Sequence, residues 1–322
     1  MDYYFAPLEG ITNHIFRRVH RKYFPGIRKY FAPFISPNQS KKVMTKEMRD
    51  LLPENNEGLY LVPQILTNQA GDFITTAKKL KQLGYNEINL NLGCPSGTVA
   101  SKNKGAGFLA FPELLDSFLD EIFSGPDMKI SVKTRLGRDD GDEFYRLLDI
   151  YNKYPMEELI IHPRIREDFY KFHPRMEYFD YAVNHSKNVL CYNGDLFTGG
   201  ECRDFSKKYP RIQRIMLGRG LLMDPALVWE LNVCEEGKEG VGLCTGAPSP
   251  DVRARVIAFH NELYDTYRQA MSGDRNVLFK MKEIWSYLIC YFPGNEKPMK
   301  KIKKAMHLPD YEAAVRQIFN GS

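Results

Sequence analysis

Apolar positions along this chain alternate in short segments and recur at helical spacing between them. The alternating segments are mostly followed by Asn, Gly or Pro, a pattern that predicts strands ending in shaped loops. Strands are predicted at 3–6, 29–34, 59–66, 87–91, 129–134, 158–162, 189–193 and 214–217. Helices are predicted between them, among others at 15–23, 72–83, 112–123, 143–154 and 200–209. Eight strand–helix units in roughly 235 residues predict an α/β fold, the (β/α)8 TIM barrel.

The rhythm changes after residue 235. Residues 236–250 are rich in Gly, Pro and charge, which is typical of a linker. Ser249 and Pro250 then form a helix-start signal, and helical spacing continues to the C-terminus, with helices predicted to about 271 and at 277–291, 297–306 and 310–319. We therefore predict a barrel domain at 1–235, a linker at 236–250 and an all-helical domain at 251–322.

The composition argues against a membrane-spanning protein and against several kinds of metal or disulfide protein. The chain has 322 residues, 43% of them hydrophobic, and lacks the run of about 18 apolar residues that a membrane span requires. Its first residues do not resemble a secretory signal, so we expect a cytoplasmic protein. The six cysteines form no CxxC pair, which argues against zinc, iron–sulfur clusters and a disulfide framework. No metal site is predicted.

Net charge is +5, and it is unevenly distributed. Residues 251–322 hold 12 Lys and Arg against 8 Asp and Glu, whereas the preceding 250 residues hold 33 against 32. A dense group within the C-terminal stretch contains Lys297, Lys300, Lys301, Lys303 and Lys304. Charge alone leaves two interpretations open, a solvated helix face or a contact with nucleic acid phosphates.

In a TIM barrel the loops after the strands converge on one face, so polar residues at the carboxyl ends of strands are site candidates. Cys94 is the most informative, because it lies on a glycine-rich loop just after a buried strand; the alternative is a small buried core residue. Gly194, Gly218 and Arg219 follow strands seven and eight, where this fold often binds phosphate, although ordinary turns would look similar. The other candidates are Pro7, Gln64, Asn91, Lys133, Arg135, His162, Arg164, Asn193 and Asp195.

Six motifs, in order along nearly the whole chain, resemble those of one enzyme family. They are Ala-Pro-Leu-Glu-Gly-Ile-Thr at 6–12, Asn-Leu-Asn-Leu-Gly-Cys-Pro at 89–95 with Gly-Ala-Gly at 105–107, Ser-Val-Lys-Thr-Arg-Leu-Gly at 131–137, His-Pro-Arg at 162–164, Asn-Gly-Asp at 193–195 and Met-Leu-Gly-Arg-Gly at 216–220. The chain resembles the tRNA-dihydrouridine synthases, flavin enzymes that reduce a uridine base in tRNA. The cysteine loop is the most specific of these motifs.

The resemblance implies a cofactor and a reaction. It implies FMN, reduced by NADPH, with hydride passing from flavin N5 to C6 of the uracil and a proton from Cys94 to C5. Asn91 would face the base. The implied FMN contacts are Pro7, Gln64, Lys133, His162, Asn193, Gly194, Asp195, Gly218 and Arg219.

A flipped-out uridine also requires contacts to the tRNA around it. By charge and aromatic type we expect these from Lys102, Lys104, Arg135, Arg164, Arg166, Tyr170, Lys300, Lys301, Lys303 and Lys304. Whether Arg164 meets the FMN phosphate or RNA is left open. Nothing in the sequence predicts an obligate protein partner.

Two other functions are compatible with parts of the pattern. One is a flavin-dependent TIM-barrel oxidoreductase that acts on a free pyrimidine or a small enone, with a structural helical tail. The other is a catalytically idle RNA-binding protein on a decayed barrel. The presence of Cys94, Lys133 and His162 together argues against the second alternative.

Overall fold

The computed structural model describes residues 1–37, 46–235 and 249–321. It contains nine parallel strands in one sheet: β1 Asp2–Phe5, β2 Lys29–Phe31, β3 Leu61–Val62, β4 Gln64–Ile65, β5 Glu87–Leu92, β6 Lys129–Arg135, β7 Leu159–His162, β8 Leu190–Tyr192 and β9 Arg214–Leu217. Their order is β3-β2-β1-β9-β8-β7-β6-β5-β4. The two end strands, β3 and β4, are separated along the chain only by Pro63, so the sheet curls into a nearly closed barrel. The predicted TIM barrel is confirmed.

The third predicted strand, 59–66, is divided in the structure. Pro63 has no backbone N–H to give to a ladder, and it falls between β3, which pairs with β2, and β4, which pairs with β5. Its carbonyl still accepts a hydrogen bond from the Asn89 amide at 2.9 Å. One predicted strand therefore becomes two, one for each end of the sheet.

Fourteen α-helices are assigned in the described ranges. They are α1 His14–Tyr23, α2 Lys46–Asp50, α3 Ala70–Gln82, α4 Gly97–Ala100, α5 Pro112–Ser124, α6 Glu143–Tyr151, α7 Met176–His185, α8 Gly199–Lys208, α9 Arg219–Met223, α10 Leu227–Glu235, α11 Pro250–Ala270, α12 Asp274–Leu288, α13 Glu296–Lys304 and α14 Leu308–Asn320. All five helices predicted within the barrel and all four predicted after it are present, with ends shifted by a few residues. None of the helices in the described ranges is long and apolar enough to cross a membrane.

Local signals explain several of these boundaries. The Ser249 hydroxyl caps α11 by accepting from the Val252 amide, and Pro250 occupies the first helical turn, where its missing N–H costs nothing. Gly84 ends α3 with φ +92°, a left-handed conformation that glycine adopts without strain. The predicted linker 236–250 lies, except for Ser249 and Pro250, outside the described residues.

Contacts group the chain into two compact units. One contains Met1–Pro7, Arg28–Asp195 and Ser206–Leu217, and therefore all nine strands. The other contains Leu8–Ile27, Leu196–Phe205 and Gly218–Ser322, and therefore α1 and α9 to α14. The predicted domain boundaries at 235 and 251 stay a prediction, because contact grouping alone does not show which segments fold independently.

The helical unit has its own core. The Trp285 indole N–H of α12 donates to the Tyr311 hydroxyl at 2.9 Å and to Nε2 of His260 at 3.1 Å, joining α11, α12 and α14. All three side chains are buried. Burial lowers the pKa of His260 to about 4, so its ring is neutral at physiological pH.

The barrel interior is filled by inward-facing side chains from successive strands. A central apolar cluster contains Tyr4, Ala6, Phe31, Val62, Ile160, Cys191 and Met216. Such layers of interdigitating side chains make a TIM barrel a packed core without an open channel. The carboxyl ends of the strands, above this layer, are where a site can be built.

A buried ionic cluster lies at the opposite, amino-terminal end of the strands. Nζ of Lys29 is 2.9 Å from both carboxylate oxygens of Glu87 and 3.0 Å from Oε1 of Glu158, while Arg214 donates to Oε2 of Glu158 at 3.1 Å. Burial opposes the charge on Lys29, but the two carboxylates outweigh it and raise the pKa of Lys29 above its ordinary value. The Tyr60 hydroxyl completes the cluster with a bond to Glu87.

Replacement of Lys29 by Met should destabilise the protein by about 3 to 5 kcal/mol, because two buried carboxylates lose their shared cation. The matched control is Lys129→Met, which removes an exposed lysine 3.2 Å from Glu157 and should cost less than about 1 kcal/mol. Urea unfolding followed by circular dichroism measures both losses. Equal losses for the two variants would contradict a special role for the buried cluster.

Candidate active site

A chain of buried polar side chains links β4, β5 and β6. Nδ2 of Asn91 donates to Oε1 of Gln64 at 2.6 Å, and Nε2 of Gln64 donates to Oδ1 of Asn89 at 2.8 Å. Asn89 in turn donates to the Ser131 hydroxyl at 2.9 Å. Because every member is buried, each hydrogen bond protects the next group from being left unpaired, and the amides hold one another in fixed orientations.

Asn91 also fixes the loop that carries the cysteine. Its Oδ1 accepts the backbone amides of Gly93 at 3.0 Å and Cys94 at 2.9 Å. Gly105 packs against this loop with φ +57°, and a Cβ at that position would lie 2.9 Å from Cβ of Cys94. The Cys94 side chain is half-buried. The thiol is therefore not sealed in the barrel core, and its predicted catalytic role stays a prediction.

Lys133 stands beside Asn91 in the parallel register of β5 and β6. Burial, with the nearby positive charge of Arg135, lowers the pKa of Lys133 to about 7. Charge on the sulfurs of Cys191 and Cys94 opposes this shift without overcoming it. The amine therefore changes charge near neutral pH, and an electron-rich group placed next to it would favour its charged form.

Arg135 connects two loops from within the protein. Its Nε donates to the carbonyl of Gly93 at 3.0 Å, and its terminal nitrogens donate to the carbonyls of Ile165 at 2.8 Å and Phe169 at 2.9 Å. Its guanidinium also lies 5.5 Å from the Tyr170 ring centre. Since the side chain is buried and its donors serve backbone carbonyls, the contacts support a positioning role; the predicted substrate contact of Arg135 stays a prediction.

Arg164 is the centre of a second buried hydrogen-bond group. It forms a bidentate ion pair with Asp195, donates from Nε to the carbonyl of Phe172 at 2.6 Å and lies 2.8 Å from Nε2 of His162. A guanidinium can only donate, so Nε2 of His162 accepts and the ring proton is on Nδ1. The structure thus assigns Arg164 and Asp195 to each other, and their predicted ligand contacts stay predictions.

The residues after β8 and β9 are positioned by a hydrogen bond to the backbone and by close packing around a glycine. Nδ2 of Asn193 donates to the carbonyl of Met216 at 2.8 Å. Gly194 cannot carry a side chain, because a Cβ would lie 1.9 Å from the Tyr192 hydroxyl. In the helical unit, Gly218 precedes α9, and the guanidinium of Arg219 lies 5.3 Å from the ring centre of Phe197. Phosphate contacts of these groups stay predictions.

The predicted RNA contacts fall into two groups. In the strand-containing unit, Lys102 and Tyr170 are exposed, Lys104 is half-buried, and Arg166 is mostly buried and paired with Glu167 at 2.7 Å. In the helical unit α13 is amphipathic, with Met299 and Ile302 buried. Its exposed face carries Lys300, Lys301, Lys303 and Lys304.

Sequence reasoning missed several groups that shape the site. Asn89 lies two residues before Asn91, so the two side chains face the same side of their strand. This spacing was the signal in the sequence that could have identified Asn89. Asp168 accepts the Ile165 amide at 3.0 Å and binds Arg175 at 3.0 Å, and it was not singled out. Among the described residues, no group of three or more His, Cys, Asp or Glu side chains lies close enough together to hold a metal ion.

Solved structures with a similar fold include two reductases. Morphinone reductase in complex with tetrahydroNAD aligns with a TM-score of 0.51 at 9% identity, covering 72% of this chain and 86% of that protein. 2-Naphthoyl-CoA reductase aligns with a TM-score of 0.55 at 10% identity, covering 73% of this chain and 50% of that protein. At such identities the likeness shows a shared barrel fold.

Sequence relatives are more specific. tRNA-dihydrouridine synthase B of Pasteurella multocida (strain Pm70) is 26% identical over 268 residues, which cover 82% of this chain and 78% of that protein. A probable tRNA-dihydrouridine synthase of Staphylococcus epidermidis (strain ATCC 12228 / FDA PCI 1200) is 28% identical over 228 residues, 68% of either chain. The family model described as dihydrouridine synthase (Dus) matches residues 4–308. With a match over nearly its whole length, this chain belongs to the dihydrouridine synthase family of oxidoreductases.

Proposed function

We propose that this protein is a cytoplasmic tRNA-dihydrouridine synthase that uses FMN and NADPH to reduce the C5–C6 double bond of a specific uridine in tRNA. Family membership and the names of its relatives support the reaction. The observation that carries the proposal is the half-buried Cys94 thiol, on a loop held by Asn91 beside Lys133. A cysteine retained only for packing would not need this arrangement.

The residues at the strand ends fit a flavin. Gln64, Lys133, His162 and Asn193 supply amide, ammonium and imidazole groups, which suit the carbonyls and nitrogens of a flavin ring edge. Lys133 adds an electrostatic reason, because burial and Arg135 hold its pKa near 7 and an electron-rich ring edge would offset both effects. Gly194, Asp195, Gly218 and Arg219 are the proposed contacts to the rest of the cofactor, together with Pro7 at the end of β1.

The proposed chemistry gives Cys94 the role of general acid. FMN, when bound, would supply the hydride for C6 of the uracil, and negative charge would then develop at C5. Cys94 transfers its S–H proton to C5, so that the C5–H bond forms and a thiolate remains. Charge on Cys94 and charge on Lys133 are mutually stabilising, so the lysine favours the thiolate that this step produces. Partial exposure of Cys94 allows it to regain a proton from solvent.

Substrate binding is proposed to involve a uridine flipped out of the tRNA. Asn91, Arg135, Arg164, Arg166, Tyr170, Lys102 and Lys104 are the proposed contacts near the barrel mouth, and the exposed lysines of α13 are proposed to neutralise phosphates. The alternative substrate, a free pyrimidine or small enone, needs no such cationic face. Assaying unmodified tRNA against free uridine separates the two, because turnover without RNA is expected only of the alternative.

Replacement of Cys94 by Ala should lower the rate of dihydrouridine formation by roughly 100- to 10,000-fold, the usual contribution of a general acid. Flavin absorbance and oxidation of NADPH by air should persist, because the thiol is not a proposed FMN contact. Mass spectrometry of digested tRNA measures the product. Cys290→Ala, which removes an exposed thiol, is the matched control and should keep full activity. Loss of flavin equal to the loss of product would remove Cys94 from the acid role.

In protein stripped of flavin, Lys133 should become reactive to acetic anhydride as pH rises through about 7, where its amine loses its proton. Added FMN should move that rise to higher pH, because an electron-rich ring edge favours the charged amine. Peptide mass spectrometry reports the labelling, with exposed Lys129 as an internal reference. An identical profile with and without FMN would argue against contact between Lys133 and the flavin.

Replacing Lys300, Lys301, Lys303 and Lys304 by Gln should weaken binding of unmodified tRNA and flatten its dependence on salt. The slope of log affinity against log salt should fall by roughly 0.7 to 0.9 for each lysine that neutralises a phosphate. A fourfold replacement of Lys78, Lys79, Lys207 and Lys208, exposed at the C-terminal ends of α3 and α8, is the charge-matched control. The same slope in both variants would show that the α13 lysines are solvated surface residues that do not contact phosphates.

A further inference from the structure

The loop after β7 exposes three aromatic rings within four residues. Phe169 is 41% exposed, Tyr170 52% and Phe172 61%. We call residues 166–172 the aromatic loop. Tyr170 is already a proposed substrate contact at the barrel mouth. Its ring lies 5.9 Å from the ring of His162. Phe169 and Phe172 have no role in the chemistry described above.

Two buried arginines hold this loop by its backbone. Arg135 donates to the carbonyl of Phe169 at 2.9 Å, and Arg164 donates from Nε to the carbonyl of Phe172 at 2.6 Å. Asp168 accepts the amide of Ile165 at 3.0 Å, where the loop begins. The backbone is therefore anchored from below while the rings remain at the surface. The exposed rings therefore belong to a segment whose backbone is hydrogen-bonded to the protein.

Phe169 adopts an unusual backbone conformation. Its φ is +48° and its ψ is −100°, a left-handed conformation that a bulky L-residue rarely adopts. Glycine would occupy this position at lower conformational cost. A strained residue with an exposed apolar ring is maintained by its surroundings, here by the Arg135 hydrogen bond, and such positions cluster at ligand-binding sites.

Charge and position indicate what binds these rings. Lys171 is exposed between Tyr170 and Phe172, so the loop presents a cation among its aromatic rings. Single-stranded nucleic acid is recognised by this combination, with bases stacked on rings and phosphates near cations. The loop follows His162 and Arg164 within a few residues, and the Tyr170 ring lies 5.9 Å from the ring of His162, so whatever the loop binds lies next to the candidate site.

We propose that Phe169 and Phe172 stack on the bases adjacent to the target uridine in tRNA. The proposal rests on the proposed function and deepens it, because it assigns a binding surface for the strand that must open when the uridine is flipped out. Stacking on flanking bases replaces the stacking that those bases lose in the opened strand. The rings thereby lower the cost of extruding the substrate base.

The test compares Phe172→Ala and Phe169→Gly with wild-type protein for affinity to unmodified tRNA at several salt concentrations. Each change should weaken binding about tenfold with an unaltered salt slope, since stacking is not a counterion effect. Phe169→Gly should melt no lower than wild type, because glycine adopts the left-handed conformation freely. Phe172→Trp should keep the wild-type affinity. Flavin absorbance should be the same in all variants.

The control is Tyr145→Ala, which removes a 41% exposed ring from α6 and should leave tRNA affinity unchanged. Unaltered affinity in Phe172→Ala and Phe169→Gly, while wild-type protein forms dihydrouridine, would overturn the stacking proposal and leave the proposed function standing. If wild type forms no dihydrouridine on any tRNA, the function fails, and the affinity series still decides whether the rings bind RNA. Loss of self-association in sedimentation, with tRNA affinity intact, would show that the rings bind a second copy of the chain and would also overturn the proposal.

Discussion

The need to pair every buried polar group at the strand ends governs the candidate site. Asn91 meets this need in two directions, since its amide nitrogen binds Gln64 and its oxygen binds the amides of Gly93 and Cys94. An unpaired buried amide or N–H costs about 1 to 3 kcal/mol, so the network has one low-energy arrangement. The position of the thiol follows from that arrangement. The cysteine loop is therefore held in place by the barrel beneath it.

Much of the fold could be predicted from the sequence because its signals are local. Alternation of apolar residues identified every strand position, and the Ser249–Pro250 signal identified the first C-terminal helix. Several features were not predicted, including the break at Pro63 and the helix α7. The break at Pro63 depends on which neighbours each half-strand pairs with, and α7 has an aromatic-rich sequence whose apolar spacing is weak. Segment 8–27 groups with the C-terminal helices, and Tyr267 of α11 binds Asn13 at 2.8 Å, a long-range contact that periodicity cannot reveal.

The sequence indicated which residues are candidates for the site more readily than it indicated what each of them does. The resemblance and the strand-end rule pointed to Gln64, Asn91, Cys94, Lys133 and His162, which the structure places in β4 to β7 or on the loop after β5. Their predicted roles stay predictions. Roles are harder to predict, because a strand-end arginine looks the same in sequence whether it binds ligand or protein. The groups that surround a long side chain depend on the loops that fold over it, and periodicity does not show those loops. Arg135 and Arg164 show this, since backbone carbonyls and Asp195 occupy their donors.

The hydrogen bonds by which Arg135 and Arg164 hold the aromatic loop do not depend on the side chains of Phe169 and Phe172. Both guanidinium groups bind main-chain oxygens, at Phe169 and Phe172, and every amino acid has such an oxygen. Substitutions at these surface positions can therefore alter recognition without disturbing the neighbouring cysteine loop, to which Arg135 is also bonded. Under the proposal that this loop stacks on RNA bases, such an architecture would let preference for a new RNA context evolve one residue at a time without changes to the cysteine loop.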